Sequence, residues 1–192
     1  MEIKVVNKWV ISDTHFGHSN IIKFTGATGR AFRGSFIRRK EDGGFEEVNF
    51  RDIKHHDEHI VEMWNSVIKP GDKVYHLGDF GDISYAKRLH GKIRLILGNH
   101  DDQMDKQEMV DSFDKILVSR RFKSDFAAPT IFSHFPLHPG NNGNSARLFN
   151  VHGHIHEKEI NDPWYLNVCV EQTNMQPLSW EELAQFIKQR TK

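Results

Sequence analysis

Five short apolar runs in this chain each end in a cluster of histidine, aspartate or asparagine. The runs are KWVIS (8–12), KVYHL (73–77), IRLIL (93–97), PTIFS (129–133) and ARLFNV (146–151). Apolar runs of this length predict buried strands, because a helix of a globular domain is usually longer. The polar clusters therefore mark one end of each predicted strand.

Segments with helical spacing lie between some of these strands. Residues 52–68 carry apolar side chains at helical intervals, and residues 83–90 predict a brief helix. Ser179 and Glu182 form a capping-box pattern for a last helix. Further strands are predicted at KILVS (115–119) and WYLNVCV (164–170). This mixture predicts an α/β domain with helices covering its sheets.

The domain organisation follows from length and pattern. A chain of 192 residues is expected to form one domain over residues 1–192. Residues 26–50 are rich in glycine and charge, and they predict an irregular hairpin or loop inserted into that domain.

Composition excludes several classes of protein. Lysine plus arginine and aspartate plus glutamate number 26 each, so no whole-molecule field attracts nucleic acid or a membrane. One cysteine, Cys169, excludes an internal disulfide and a thiolate metal cage. No apolar stretch reaches the roughly 18 residues of a membrane span, and the N-terminus lacks a signal-peptide core. These features predict a cytoplasmic protein, and its 13 histidines need an explanation.

The polar clusters contain residues that can bind metals or transfer protons. They are Asp13 and His15 in SDTHFGH, Asp79 in GDF, Asn99, His100 and Asp101 in GNHDD, His134 in SHFP, and His152, His154 and His156 in VHGHIH. In open α/β sheets, ligands bind beyond the carboxyl ends of the strands. We therefore expect these side chains to converge on one site.

Each cluster also has an ordinary explanation. A pair such as Asp13 and His15 arises by chance, Gly-Asp is common in turns, and His134 alone could be a hydrogen-bonded core residue. The alternating histidines could line one polar strand face. Their shared position after apolar strands favours a common site over five separate coincidences.

Taken in order, DTH, GD, GNHD, SHFP and GHIH resemble the motifs of the calcineurin-like metallophosphoesterases. The segments DTHFGHSNII and VYHLGDF are similar to small bacterial or phage members whose substrate is unassigned. The resemblance implies a four-layer α-β-β-α sandwich, in which two mixed β-sheets are flanked by helices. The site would lie at the sheet edges.

The resemblance also implies two divalent transition-metal ions. Asp13, His15, Asp79 and His156 would hold the first, and Asp79, Asn99, His134 and His154 the second, with Asp79 as the bridge. Imidazole and oxygen ligands without sulfur fit Mn²⁺, our first choice, and also Fe, Zn, Ni, Co or Mg. We expect the rings of His154 and His156 to face one side because the two residues alternate along a strand.

The remaining roles concern the substrate. In the family, the position of His100 protonates the leaving group or stabilises transition-state charge. Asp101 could orient His100 or simply cap the next helix. His18 could contact a phosphate, together with Asn99 and His100, or could begin a helix. His76 could support a neighbouring ligand, and His152 could orient a ligand or only stabilise the strand end.

These assignments predict hydrolysis of a phosphodiester or phosphomonoester by a metal-bound hydroxide. The alternative is a non-catalytic metal-binding interaction module, which would not need the acid-base group His100. A small phosphate ester or a nucleotide is the expected substrate, and nucleic acid is possible but not favoured.

Several segments allow two interpretations. RAFRGSFIRRK (30–40) could be a flap that grips phosphates or a solvated hairpin, which we favour. His138 and residues 141–144 could form the rim of a cleft. His55, His56 and His59 are interpreted as a solvated helix face, and Cys169 in NVCV is given no catalytic role.

Overall fold

The structure is a computed structural model that describes residues 6–25, 31, 33–40, 42–138 and 147–191. Its strands are β1 (Lys8–Ile11), β2 (Ser35–Arg39), β3 (Phe45–Asn49), β4 (Lys73–His76), β5 (Lys92–Ile96), β6 (Lys115–Leu117), β7 (Ser119–Phe122), β8 (Thr130–Ser133), β9 (Phe149–His152), β10 (Tyr165–Asn167) and β11 (Leu178–Ser179). Its α-helices are α1 (Ile53–Val67), α2 (Lys106–Ser112) and α3 (Trp180–Arg190). Two short 3₁₀ helices cover Ile83–Arg88 and Asp101–Gln103.

The strands form two mixed sheets and a separate hairpin. The first sheet has the order β11-β1-β4-β5-β6, with β11 antiparallel and the other four strands parallel. The second has the order β10-β9-β8-β7, with only β7 antiparallel. The predicted mixed α/β fold is therefore confirmed.

Side chains alternate between two apolar cores along the first sheet. On β1, Ile11 packs with Trp64 of α1, whereas Val10 packs between the two sheets with Phe132 and Phe149. This alternation follows from the two-residue period of a strand. Helices α1 and α2 thus cover one face of the first sheet, and the second sheet covers the other. No helix among the described residues is long and apolar enough to cross a membrane.

The chain passes from the first sheet to the second at Val118. KILVS was predicted to be one strand, but β6 pairs with β5 and β7 pairs with β8. Val118 lies between them and is 80% exposed. The single-strand prediction is wrong because an apolar run alone does not show that the chain changes partner within it.

Helix α1 begins at the predicted place, since Asp52 accepts a hydrogen bond from the His55 backbone N–H. The solvated face predicted for its histidines is wrong at two positions. His56 is completely buried, because it lies four residues before Ile60 on the stripe that faces the sheet. His59 stacks on Phe36 of the hairpin with 3.6 Å between ring centroids.

The inserted segment contains the antiparallel hairpin β2–β3, which is regularly paired from Ser35–Asn49 to Arg39–Phe45. Arg33, just before this hairpin, is fully buried. Neither the phosphate-gripping flap nor the solvated hairpin describes Arg33, because its side chain binds Glu171. Residues 26–30, 32 and 41, the side chains of Arg38 and Arg39, and the predicted rim at 141–144 lie outside what the structure describes.

Candidate metal centre

The predicted ligands all follow the carboxyl ends of strands, three in the first sheet and two in the second. Asp13 and His15 come after β1, Asp79 after β4, Asn99 after β5, His134 after β8, and His154 and His156 after β9. Ligand atoms of Asp13, His15 and Asp79 lie within 4.8 Å of one another, as do those of Asp79, His134 and His154. The expected convergence is present, and Asp79 belongs to both groups.

Asp79 lies between two histidines. Its Oδ2 is 3.5 Å from His15 Nε2 and 3.5 Å from His134 Nε2. Its Oδ1 accepts a hydrogen bond from the His100 backbone N–H at 2.9 Å. Asn99 joins the second group, with its Oδ1 2.9 Å from His134 Nε2. This placement is suitable for a carboxylate shared by two cations.

The two carboxylate oxygens of Asp13 differ in how many hydrogen bonds they accept. Its Oδ2 accepts from Ser12 Oγ at 2.5 Å, from the His154 N–H at 2.9 Å and from Cys169 Sγ at 3.1 Å. Its Oδ1 is buried without a hydrogen-bond donor among the described residues, and the same holds for His15 Nε2. Leaving such groups unpaired costs about 1–3 kcal/mol each. A cation between them would satisfy both, so the residues fit a metal.

The sequence did not predict that Cys169 contacts the site, although the structure places its sulfur 3.1 Å from Asp13 Oδ2. Cys169 is fully buried, and its sulfur lies in a third ligand-atom group with Asp13 and His156. Burial, and then the charges of Asp13 and Glu171, raise the pKa of the thiol well above its usual range. The protonated thiol can therefore donate to Asp13. A parallel β-bridge between Ser12 and Cys169 brings the segment after β1 beside the segment after β10. The sequence carries no signal for this pairing.

The backbone at five predicted ligands is in the left-handed region. The φ angles of Asp13, His15, Asp79, His154 and His156 are 60°, 49°, 55°, 73° and 52°. Such conformations are unfavourable for residues other than glycine, and they cluster at functional sites. They also correct the strand-alternation argument for His154 and His156. Strand β9 ends at His152, so turns and not a strand orient the two rings.

Glycines allow the strand-end loops to approach one another closely. A Cβ on Gly98 would lie 2.2 Å from Asp79 Oδ1, and a Cβ on Gly153 would lie 2.2 Å from Asp13 Oδ2 and 2.0 Å from Ser12 Oγ. No side chain fits either position without moving the loop. The glycines in GN and GH are therefore explained by packing against the predicted ligands.

A hydrogen bond sets the tautomer of His134, and burial and charge act on the pKa of two other histidine ligands. His134 Nδ1 donates to the Leu77 carbonyl at 2.8 Å, so Nε2 is the nitrogen directed at Asp79. Burial, followed by the charge of Arg33, lowers the pKa of His15. Burial opposes charge on His156 as well, but its bond to Glu171 raises its pKa. Neutral imidazole is the form that binds metals.

His76 and His152 support the loops. His76 Nε2 lies 3.0 Å from Thr14 Oγ1, between Asp13 and His15 in the chain. His152 Nδ1 donates to the Gly153 carbonyl at 2.9 Å, directly before His154. Both contacts are to residues adjacent to predicted ligands, and both rings are buried. Contacts of this kind can orient the neighbouring ligands, and the His152 contact can equally stabilise the end of β9, so these roles stay predictions.

His18 and His100 lie on a groove beside His15. The groove has a volume of about 610 Å³. The His100 ring is 5.4 Å from the His15 ring and 6.2 Å from the His18 ring, measured between centroids. These positions are compatible with their predicted substrate contacts, which stay predictions.

Asp101 has a different role from the two that were considered. Its carboxylate accepts from the backbone N–H groups of Asp79, Phe80 and Gly98 at 2.9, 2.9 and 2.8 Å. It is the first residue of the second 3₁₀ helix, with His100 at the capping position. These contacts join the loops that carry Asp79 and Asn99, and they give no support to a catalytic role or to a cap.

This fold and this arrangement of carboxylates and histidines define the metallophosphoesterase class. The chain belongs to the calcineurin-like phosphoesterase family, whose model matches residues 7–189. The resemblance drawn from DTH, GD, GNHD, SHFP and GHIH is confirmed.

Similar proteins extend the comparison without naming a substrate. An uncharacterized protein of Methanocaldococcus jannaschii, MJ1445, is 26% identical over 94% of this chain and 90% of its own length. The gene 66 protein of Mycobacterium phage L5 is 31% identical over 50% of this chain and 40% of its own length. A crystal structure of a protein of unknown function from Aquifex aeolicus, AQ665, shares the fold. Its TM-score is 0.64 at 24% identity, covering 95% of this chain and 100% of that chain.

Proposed function

We propose that this protein is a dinuclear metal-dependent phosphoesterase that hydrolyses a phosphodiester or phosphomonoester. The observation that carries the proposal is the position of Asp79 Oδ2, 3.5 Å from a histidine nitrogen on either side. A carboxylate between two sets of ligands is suited to hold two cations at once. An isolated metal site would not need the second set.

The chain would hold two cations with eight ligand positions. Asp13, His15, Asp79 and His156 would bind the first, and Asp79, Asn99, His134 and His154 the second. When bound, a pair of divalent cations lowers the pKa of water toward neutrality and offsets charge on phosphoryl oxygens. The nitrogen and oxygen donors favour Mn²⁺, Fe, Zn, Co or Ni, and Mn²⁺ is our choice for the first experiments.

His100 would deliver the proton to the leaving oxygen. Its backbone N–H is fixed on Asp79 Oδ1, and its exposed ring lines the groove beside His15 and His18. A phosphate ester held at the cations would therefore extend past this ring. Proton transfer by a positioned group typically contributes a factor of about 10²–10⁴ to the rate.

The residues that line the groove favour a small substrate over a nucleic acid. Its lining includes three carboxylates, those of Asp82, Asp105 and Glu108, and no lysine or arginine from the part of the chain that is described. Nucleic acids bind through phosphate contacts to basic side chains. A single phosphate ester needs no such track, so we favour a small ester or nucleotide over a polymer.

A hydrolysis panel tests the proposal. Metal-free protein is reconstituted with Mn²⁺ and assayed on bis-p-nitrophenyl phosphate, p-nitrophenyl phosphate, cyclic nucleotides and single-stranded DNA. We expect metal-dependent turnover of at least one small ester and none in the metal-free control. Two bound Mn²⁺ ions without turnover of any substrate would instead favour the non-catalytic module.

A further inference from the structure

Arg33 and Glu171 form a buried ion pair beside the predicted first metal position. Their side chains are 0% and 3% exposed. Arg33 Nε and Nη2 both donate to Glu171 Oε1, at 2.8 and 2.5 Å. Arg33 Nη1 donates to the Thr14 carbonyl at 3.2 Å, between Asp13 and His15 in the chain. Two segments 138 residues apart thus meet at the site.

The Arg33–Glu171 ion pair contacts the predicted metal ligand His156. His156 Nδ1 lies 3.0 Å from Glu171 Oε1, the oxygen that also receives Arg33. A carboxylate that is already bound by a guanidinium can only accept hydrogen bonds. Arg33 Nη2 also lies 3.4 Å from His156 Nδ1, but the contact with the charged Glu171 oxygen is the shorter one, at 3.0 Å. We therefore assign the proton in this contact to Nδ1. A ring that uses Nδ1 in this way can offer a metal only Nε2.

We propose that Glu171, held in place by Arg33, is a positioning residue that fixes the ring and the tautomer of His156 for the first metal position. This inference rests on the proposed dinuclear function. Carboxylates that orient ligating histidines typically change metal affinity by a factor of about 10–100 when they are removed.

The inference also links the inserted segment to the metal. Arg33 lies just before the hairpin β2–β3, in the segment 26–50 that the sequence pattern predicts to be an insertion. If Arg33 stabilises the metal-binding geometry of His156, bound metal must stabilise the docking of Arg33 to the same extent, because coupling free energies are reciprocal. The hairpin is then part of the metal-binding unit.

The test uses a volume-conserving double variant, Arg33→Met/Glu171→Met. Removing only one partner would leave a buried charge without compensation and could unfold the protein. The matched control is Arg88→Met/Glu58→Met, which removes an exposed pair bonded at 2.9 and 2.6 Å. Circular dichroism checks folding, and calorimetric titration of metal-free protein with Mn²⁺ measures both binding steps.

We expect one Mn²⁺ step to weaken by about 10–100-fold in the double variant, while the other step and both steps of the control are retained. Two steps with wild-type affinity in the folded double variant would overturn the positioning role alone. A wild-type protein that binds no Mn²⁺ would overturn the dinuclear centre, and this inference with it.

A measurement on the wild-type protein does not depend on the variant. Nitrogen-15 spectra of the Zn²⁺-loaded protein report which nitrogen of His156 carries the proton. The proposal requires protonated Nδ1, and a proton on Nε2 would overturn it. Amide exchange in β2–β3 should also slow when Mn²⁺ is added, and unchanged exchange would contradict the link to the hairpin.

Discussion

At the scale of single residues, the two carboxylate oxygens of Asp13 have different surroundings. Three donors hold Asp13 Oδ2, whereas Oδ1 has none within the described ranges. The donors fix the plane of the carboxylate, and the plane directs Oδ1 at His15, 3.8 Å away. Asp13 is therefore oriented before any cation binds, which reduces the entropy lost on binding.

A substitution at His100 can separate catalysis from assembly of the metal centre. Its ring is exposed on the groove, and only its backbone N–H contacts Asp79. We expect His100→Ala to keep two Mn²⁺ ions and to lower kcat by about 10²–10⁴, because a proton donor is lost while the ligands remain. Metal content and kcat on the substrate identified by the panel check this.

The control is His90→Ala, an exposed histidine before β5, at the opposite end of that strand from Asn99. The kcat of His90→Ala should match that of the wild-type protein. Wild-type turnover in His100→Ala would reject the proton-donor role, and loss of metal would show that His100 contributes to assembly.

At the scale of elements, the site depends on how closely the loops pack. Gly98 contacts Asp79 so tightly that a methyl group would lie 2.5 Å from the Asp79 backbone nitrogen as well as 2.2 Å from Oδ1. We expect Gly98→Ala to destabilise the protein by about 1–3 kcal/mol and to weaken Mn²⁺ binding. Urea unfolding and metal titration measure the two effects.

Gly71→Ala is the matched control, since a Cβ there would meet nothing within 4 Å. It should change stability by no more than about 0.5 kcal/mol. Equal effects of the two substitutions would mean that loss of glycine flexibility, and not crowding at Asp79, is responsible.

Asp72 ties the start of β1 to the turn before β4. Its carboxylate accepts from the Asn7 N–H at 3.2 Å, Trp9 Nε1 at 3.1 Å and the Lys69 N–H at 3.0 Å. Burial opposes its charge, but these donors together lower its pKa. Asp72 therefore contributes stability that is present above its unfolded pKa, about 3.9, and is lost as the pH falls through the lower folded value.

We accordingly expect Asp72→Asn to cost about 1–3 kcal/mol at pH 7 and progressively less as the pH falls below about 4. Urea unfolding between pH 7 and pH 3 measures this. Asp42→Asn is the control, because that carboxylate accepts from the Gly44 N–H in an exposed turn. A cost that does not change with pH would contradict a role for the charge.

The sequence predicted elements and ligands better than long-range contacts. Strand ends and ordered motifs were enough to select Asp13, Asp79 and His134, because each lies beside its own apolar run. Glu171 and Arg33 have no such marker, since their contact joins positions 138 residues apart. His56 was misjudged for a related reason, because the buried side of α1 is decided by the sheet that it covers.

At the scale of the whole molecule, the two sheets and their loops place buried carboxylates and histidines at one edge. Asp13 and Asp79 are 0% and 1% exposed, and burial raises the pKa of Asp13. Holding both groups together without a cation costs free energy of folding. Cations that bind only the folded chain should therefore raise its stability as a whole.

We expect Mn²⁺ at one hundred times its Kd to stabilise the protein by about 2.7 kcal/mol for each bound ion. For a chain of this size, each bound ion then raises the Tm by roughly 5–10 °C relative to EDTA. Asp79→Asn should lose most of this rise, because it weakens both positions, whereas Asp125→Asn, at a surface pair with Lys8, should keep it. Calorimetry of the three proteins with Mn²⁺ and with EDTA measures the rise. An equal rise in Asp79→Asn would place the bound Mn²⁺ away from this edge of the sheets.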